Sequence, residues 1–180
     1  MTRPGTQYTA AAKFLHWTMA AAIIALLAVG TGMVFLPKGD LRGEIYDIHK
    51  QLGVLVLALA AVRLGWRAAK GAPALPSATP AVERLAAQAG HLALYLLMFA
   101  MPLSGLVMSQ AGGHSVHLLG LTLPELVAKD HALHEVAEEL HEALAWATAL
   151  LVGGHLAAAL RHHFLLKDDV LRRMLPQGSR

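Results

Sequence analysis

The sequence predicts an all-α integral membrane protein, an antiparallel bundle of four helices that each cross a bilayer. Of its 180 residues, 56% are hydrophobic and only 15% are charged, which is too apolar for an ordinary soluble domain. The apolar residues fall into four stretches of spanning length. Histidines lie inside or at the ends of these stretches, where an ionisable side chain is costly and usually marks function.

Hydropathy, together with glycine and proline punctuation, gives the predicted spans as about Phe14–Phe35, Ile48–Trp66, Gln88–Met108 and Leu140–Phe164. The connection between the third and fourth spans is the longest, and the acidic run from Asp130 to Glu142 predicts an early start for the last helix. The first stretch shows no evident small-residue cleavage site, so we expect a retained helix. We expect residues 1–180 to form a single membrane-embedded domain.

The distribution of charge predicts the orientation of the four spans. Eleven of the fifteen basic residues, but only three of the twelve acidic residues, lie on the side that carries the two termini and the second connection. Basic residues concentrate on the cytoplasmic side of membrane proteins. Both termini are therefore predicted to be cytoplasmic, and this asymmetry supports membrane insertion independently of hydropathy.

This orientation places His16 and His155 near the inner face of the membrane, and His49 and His141 near the outer face. His141 and His155 are fourteen residues apart on one predicted helix, so they share a face and lie roughly 21 Å apart along its axis. A haem iron takes two axial nitrogens from opposite sides of its ring. Facing histidines at two matched depths therefore predict two haems. On depth alone, His91 could replace His16.

Cysteine is absent from the sequence, which excludes iron–sulfur clusters and thioether attachment of haem, so any haem is held non-covalently. Gly53 and the pair Gly153–Gly154 are expected to let a flat macrocycle approach the helix backbone. His162 and His163 lie past the end of the membrane core beside Arg161, and we interpret them as solvated or headgroup-facing. The histidines of the third connection match no tight metal-ligand spacing and are interpreted as surface residues.

Several segments resemble the bacterial cytochrome b561 family, in order and with matching separations over nearly the whole chain. They are Phe14–Trp17, Asp47–His49, Gly90–Leu92, Pro102–Met108, His141–Glu142, His155–His163 and the basic tail Lys167–Pro176. The resemblance implies four helices that hold two b-type haems in a bacterial inner membrane. It also implies the ligand pairs, His16 with His155 and His49 with His141. His91 matches a further family histidine, which we expect to line a haem pocket or a quinone site.

Small stand-alone members of this family look like superoxide oxidases, which pass electrons from superoxide outside the membrane to ubiquinone. The resemblance thus implies membrane lipid, superoxide and ubiquinone as partners, with neither nucleic acid nor an obligatory protein partner. Steering of an anion to an acidic outer face needs a local positive patch. Lys129 and Lys50 are the preferred candidates, although ion pairing with Asp130 and Asp47 is an equally good interpretation.

Arg63 follows His49 by fourteen residues, which places it near the same helix face at the inner depth. We predict that it pairs with a propionate of the inner haem, with snorkelling to lipid phosphate as the alternative.

Two other functions stay open on the sequence alone. One is a haem subunit that relays electrons between a periplasmic dehydrogenase or hydrogenase and quinone. The other is a transporter without haem, in which the histidines relay protons or bind a metal.

Overall fold

The computed structural model describes residues 7–76 and 79–176, and it is built around four long helices. They are α1 (Ala10–Met33), α2 (Asp40–Lys70), α3 (Ala81–Ala111) and α4 (His131–Arg161). Each of the four contains a segment long and apolar enough to cross a membrane. The prediction of an all-α four-helix membrane bundle is confirmed.

The helices are longer than the spans that hydropathy predicts. A helix of 31 residues, such as α2, is about 46 Å long at a rise of 1.5 Å per residue, whereas the hydrocarbon core is about 30 Å thick. Hydropathy detects only the apolar part of a helix that lies in the hydrocarbon core, so it does not reveal the polar ends of the helix. The early start expected for the last helix is present, because α4 begins at His131 and Asp130 Oδ1 accepts a hydrogen bond from the Leu133 amide.

The packing of the helices leaves α4 set apart from half of the bundle. Neighbours in sequence pack together, α1 on α2, α2 on α3 and α3 on α4, whereas the described residues of α4 do not pack closely along α1 or α2. The small core of Met19, Val56 and Ala60 lies between α1 and α2, with Met98 and Phe99 of α3 against it. Side chains must therefore bridge the space between α4 and the α1–α2 pair.

The connection between α3 and α4 contains a short β-hairpin, formed by β1 (His117–Leu118) and β2 (Leu121–Thr122), which the sequence did not predict. Gln110 fastens the following segment to the end of α3, because its side chain donates to the Pro124 carbonyl and accepts from the Leu126 amide. The connection is therefore an ordered cap over one end of the bundle.

The chain after α4 folds back across the other end of the bundle. A π-helical turn, His162–Leu166, ends at Lys167, and the following tail reaches α1. Trp17 Nε1 donates to the Met174 carbonyl, and the buried Lys13 donates through Nζ to the Leu175 carbonyl. The last described residues are thereby attached to the first helix.

His162 takes part in this turn, because its Nδ1 lies within hydrogen-bond distance of Asp168 Oδ2. Burial would raise the pKa of the Asp168 carboxyl. The hydrogen bonds from His162 and the Val170 amide, with the positive charge of Arg173, outweigh that effect and lower the pKa. Asp168 is therefore an ionised anchor for the tail.

Candidate functional site

Three histidines meet at the level of the bundle nearest the chain termini, which we call the inner level. His16 comes from α1, His91 from α3 and His155 from α4. The ring centroids of His16 and His155 are 6.1 Å apart, and those of His91 and His155 are 5.6 Å apart. His155 therefore faces two imidazoles, and the ambiguity between His16 and His91 that depth left open is also present in the geometry.

Two histidines meet at the other level, which we call the outer level. His49 from α2 and His141 from α4 have ring centroids 6.4 Å apart, and their planes are inclined by 78°. Both levels thus join α4 to the α1–α2 pair across the space where the helices themselves do not pack. The predicted juxtapositions of His16 with His155 and of His49 with His141 are both present in the structure.

Helix α3 holds one edge of the His141 ring. Ser104 is buried, and its hydroxyl donates to the Met101 carbonyl at 2.8 Å, so its oxygen accepts from His141 Nδ1 at 3.0 Å. A neutral imidazole carries one proton, so this contact leaves Nε2 with the free lone pair. The next residue, Gly105, lies so close that a Cβ there would be 2.8 Å from His141 Cε1.

His49 is placed by shape rather than by a hydrogen bond. A Cβ at Gly30 of α1 would lie 3.0 Å from His49 Cε1, so a larger residue there would require the His49 ring to shift by a few tenths of an ångström. Its Nδ1 is buried, and within residues 7–76 and 79–176 it has no hydrogen-bond partner. An orphaned imidazole nitrogen in an apolar span costs stability unless a further group engages the ring.

Arg63 lies at the inner level beside His16, as the sequence predicted for its depth. Its Nη2 is 3.2 Å from His16 Nδ1. A guanidinium only donates hydrogen bonds, so Nδ1 accepts here and a neutral ring carries its proton on Nε2. The other terminal nitrogen, Nη1, is buried and lacks a partner among the described residues. Arg63 therefore has donor capacity for an anionic group at this level.

A cavity of about 30 Å³ adjoins Arg63 at the inner end of the bundle. Its walls include Arg67, whose guanidinium lies 5.8 Å from the centre of the Tyr95 ring, and Trp66, whose indole donates to Thr9 Oγ1. Two arginines and three aromatic side chains, Tyr8, Trp66 and Tyr95, thus line this opening. That composition suits an anionic or planar polar group.

Lys50 and Lys129, the predicted superoxide-steering residues, have different surroundings. Lys50 Nζ forms an ion pair with Asp47 Oδ1 at 2.6 Å, as the alternative interpretation expected. Lys129 lies over Gly113 and borders a cavity of about 100 Å³ that Gln110, His114 and Glu125 also line. Lys129 is therefore the better placed of the two to meet a small anion.

These residues suit a b-type haem at each level. Facing imidazoles come from different helices, and the outer pair holds one ring with a defined free nitrogen and one ring with an orphaned nitrogen. A Cβ at Gly53, Gly153 or Gly154 would meet no protein atom within 4 Å, so these three glycines border open space, and their role beside a flat macrocycle stays a prediction. Gly30 and Gly105, which contact the histidines, were not singled out for that role by the sequence.

A four-helix membrane bundle with imidazole pairs at two depths is typical of one class, the membrane-embedded cytochromes of electron transfer. The chain matches the family described as Prokaryotic cytochrome b561 over residues 7–177. It belongs to that family, whose members are membrane b-type cytochromes of electron transfer in the bacterial inner membrane.

Curated relatives support this assignment over nearly the full chain. Cytochrome b561 homolog 2 of Escherichia coli is 38% identical over 181 residues, which cover 99% of this chain and 96% of the relative. Cytochrome b561 homolog 1 of the same organism is 28% identical, with 91% and 94% covered. The protein named Probable superoxide oxidase CybB of Yersinia pestis is 29% identical, with 91% and 92% covered.

Proposed function

We propose that this cytochrome holds two b haems, between His16 and His155 and between His49 and His141, and oxidises superoxide outside the membrane while it reduces ubiquinone. The observation that carries the proposal is the meeting of these histidines at two levels, with α4 supplying one member of each pair. Similarity to a protein named as a probable superoxide oxidase supports the choice of substrate.

Haems held by these four histidines would supply one-electron transfer, and with two histidines committed to each iron no position would remain at which oxygen binds. Two superoxide ions each give up one electron and leave as dioxygen. One ubiquinone takes up the two electrons and two protons and becomes ubiquinol. The reaction therefore balances without a further oxidant or reductant.

The contribution of the protein at the outer face is electrostatic. The first turns of α4 carry exposed acidic side chains, which repel an anion. Lys129 lies just before these turns, and the carbon atoms of its side chain lie against Gly113. This contact holds the positive charge of Lys129 at the end of the bundle nearest His49 and His141. A fixed cation in an acidic surface raises the encounter rate with an anion and loses this effect as salt is added.

At the inner level, Arg63 would hold a propionate of the haem through the donor that now lacks a partner. Coordination through His16 Nε2 needs that nitrogen free of its proton, so Arg63 must release His16 Nδ1 when the haem is bound. A propionate gives the guanidinium a stronger, charge-assisted partner. His91 then faces His155 as a neighbour in the haem pocket rather than as a ligand.

The ligand assignment is tested by counting haems in purified variants. His16→Ala and His155→Ala should each lose the inner haem, and His49→Ala and His141→Ala the outer haem, whereas His91→Ala should retain two. Pyridine haemochrome absorbance per protein gives the count. Retention of two haems in His16→Ala, with loss of one in His91→Ala, would show that the inner pair is His91 with His155.

The reaction is tested by mixing ferric protein with superoxide in a stopped-flow spectrometer, with and without ubiquinone. Rapid haem reduction, followed by reoxidation that yields quinol, is expected from the protein alone. Lys129→Glu should slow the reduction about threefold to tenfold with unchanged haem spectra, and Lys38→Glu, the same charge change in the first connection, should have less effect. A protein that superoxide does not reduce, but a co-purifying dehydrogenase does, would be a relay subunit instead.

A further inference from the structure

The two ligands of the outer level differ in how the protein supports them. His141 Nδ1 donates to Ser104 Oγ at 3.0 Å, and the Ser104 hydroxyl donates in turn to the Met101 carbonyl at 2.8 Å. His49 Nδ1 has no comparable partner among the residues that the structure describes. One imidazole of the outer pair is thus oriented by a buried two-step hydrogen-bond chain, and the other is not.

This chain has an electronic consequence for any iron that His141 binds. A ligating imidazole that donates its other N–H to an acceptor is a more basic ligand, and the ring keeps the tautomer with the free Nε2. A more basic ligand stabilises the ferric state relative to the ferrous state. The reduction potential of the outer haem is therefore expected to fall.

The inner level has the opposite character, because a cation lies next to it. Arg63 lies at this level and would pair with a propionate of the bound haem, and a positive charge beside that haem favours the state with one electron more. The two effects have opposite signs at the two levels. Together they make electron transfer from the outer level to the inner level energetically favourable.

We infer that Ser104 is a positioning residue that fixes the Nε2-ligating tautomer of His141 and lowers the reduction potential of the outer haem, so that electrons run inward. This inference rests on the proposed function through the assignment of His141 as an axial ligand. It adds that a serine on α3, which touches neither superoxide nor quinone, helps to set the direction of transfer.

The test is a spectroelectrochemical redox titration of purified Ser104→Ala, with both haems resolved. Loss of the acceptor should raise the outer midpoint potential and leave the inner one unchanged. Loss of one hydrogen bond is expected to raise the ferrous-to-ferric ratio at a fixed potential about fivefold, which is about 41 mV for a one-electron couple. Ser104→Thr keeps the hydroxyl and should restore the parent potential.

Ser109→Ala is the matched control. Ser109 is also a buried serine of α3, but its hydroxyl donates to the His114 carbonyl, and among the described residues it forms no hydrogen bond with a proposed ligand histidine. Its removal should leave both potentials unchanged. An outer potential that does not move in Ser104→Ala, or that moves equally in Ser109→Ala, overturns the inference.

If Ser104→Ala loses the outer haem, Ser104→Cys decides, because sulfur is a weaker acceptor and should give a partial rise in potential. No rise in that variant overturns the inference. Haem counting in His141→Ala separates this result from failure of the proposed function. If His141→Ala retains two haems, His141 is not a ligand and the proposed function fails. If His141→Ala retains one haem, the ligand assignment holds, and a negative result in the Ser104 variants refutes only the role of Ser104.

Discussion

Gly105→Ala offers the sharpest test of how α3 shapes the outer level. The added Cβ would lie 2.8 Å from His141 Cε1 and 3.2 Å from Nδ1, whereas ordinary contacts begin at 3.4 Å. The ring must therefore move by about 0.6 Å. It is a rigid group already tied to Ser104, and not the free end of a flexible side chain, so the movement disturbs its hydrogen bond as well.

Overpacking of this kind costs about 1–3 kcal/mol in well-packed interiors. Most of that cost should appear as weaker binding of the outer haem, because the displaced His141 ring is its proposed ligand. A loss of 1–3 kcal/mol weakens binding about fivefold to 150-fold. We expect Gly105→Ala to purify with one full haem and a substoichiometric second haem, measured by pyridine haemochrome and by the amplitude of the outer component in a redox titration.

Gly90→Ala is the control, since it adds the same methyl group to the same helix where no atom lies within 4 Å. It should retain both haems. If Gly105→Ala also retains two haems with an unchanged outer potential, then either His141 is not a ligand or its ring is not held where the structure places it. Loss of the inner haem instead of the outer one would contradict the assignment of His141 to the outer level.

Three further outcomes are expected. Gly30→Ala should weaken the outer haem because its Cβ would meet His49, whereas Gly32→Ala, in open space two residues away, should not; haem content distinguishes them. Arg63→Gln should lower the inner midpoint potential, on the order of 59 mV for a tenfold change, and an unmoved potential would remove its proposed role. Asp168→Asn should lower the unfolding temperature at pH 7 by about 2–4 °C for about 1 kcal/mol. Because the pKa of Asp168 is lowered, its contribution is present above the ordinary value of 3.8 and is lost as the pH falls through the lowered pKa. The melting-temperature difference should therefore vanish in acid, and a difference that persists there would contradict an ionic role.

Depth and helical period predicted which histidines share each level, although they left His16 and His91 as alternative neighbours of His155. His16 reaches His155 and His49 reaches His141 because antiparallel spans place residues at matching distances from the membrane surfaces, and because fourteen residues return a helix nearly to the same face. These properties are local to each helix. They can be deduced from the sequence without knowing how the helices rotate against their neighbours.

Contacts that depend on rotation and close approach could not be predicted in the same way. The roles of Ser104 and Gly105 follow from the side of α3 that meets α4, and the contact of Arg63 with His16 follows from the distance between α1 and α2. The hairpin at Leu119 is equally hidden, because a leucine with a φ of 51° is uncommon and no glycine at that position signals it. Such features arise from tertiary packing, which overrides local preference.

The separation of α4 from the α1–α2 pair has a consequence for biogenesis. Helices α1, α2 and α3 pack on one another in the order in which a ribosome delivers them, yet together they hold only one half of each histidine pair. The α4 members of the two pairs, His141 and His155, are synthesised near the end of the chain, just before the tail that bonds to α1. Binding of either proposed haem between its two histidines is therefore expected only after nearly the whole chain has entered the membrane. Maturation of the two proposed centres should then be a single late event rather than two successive ones.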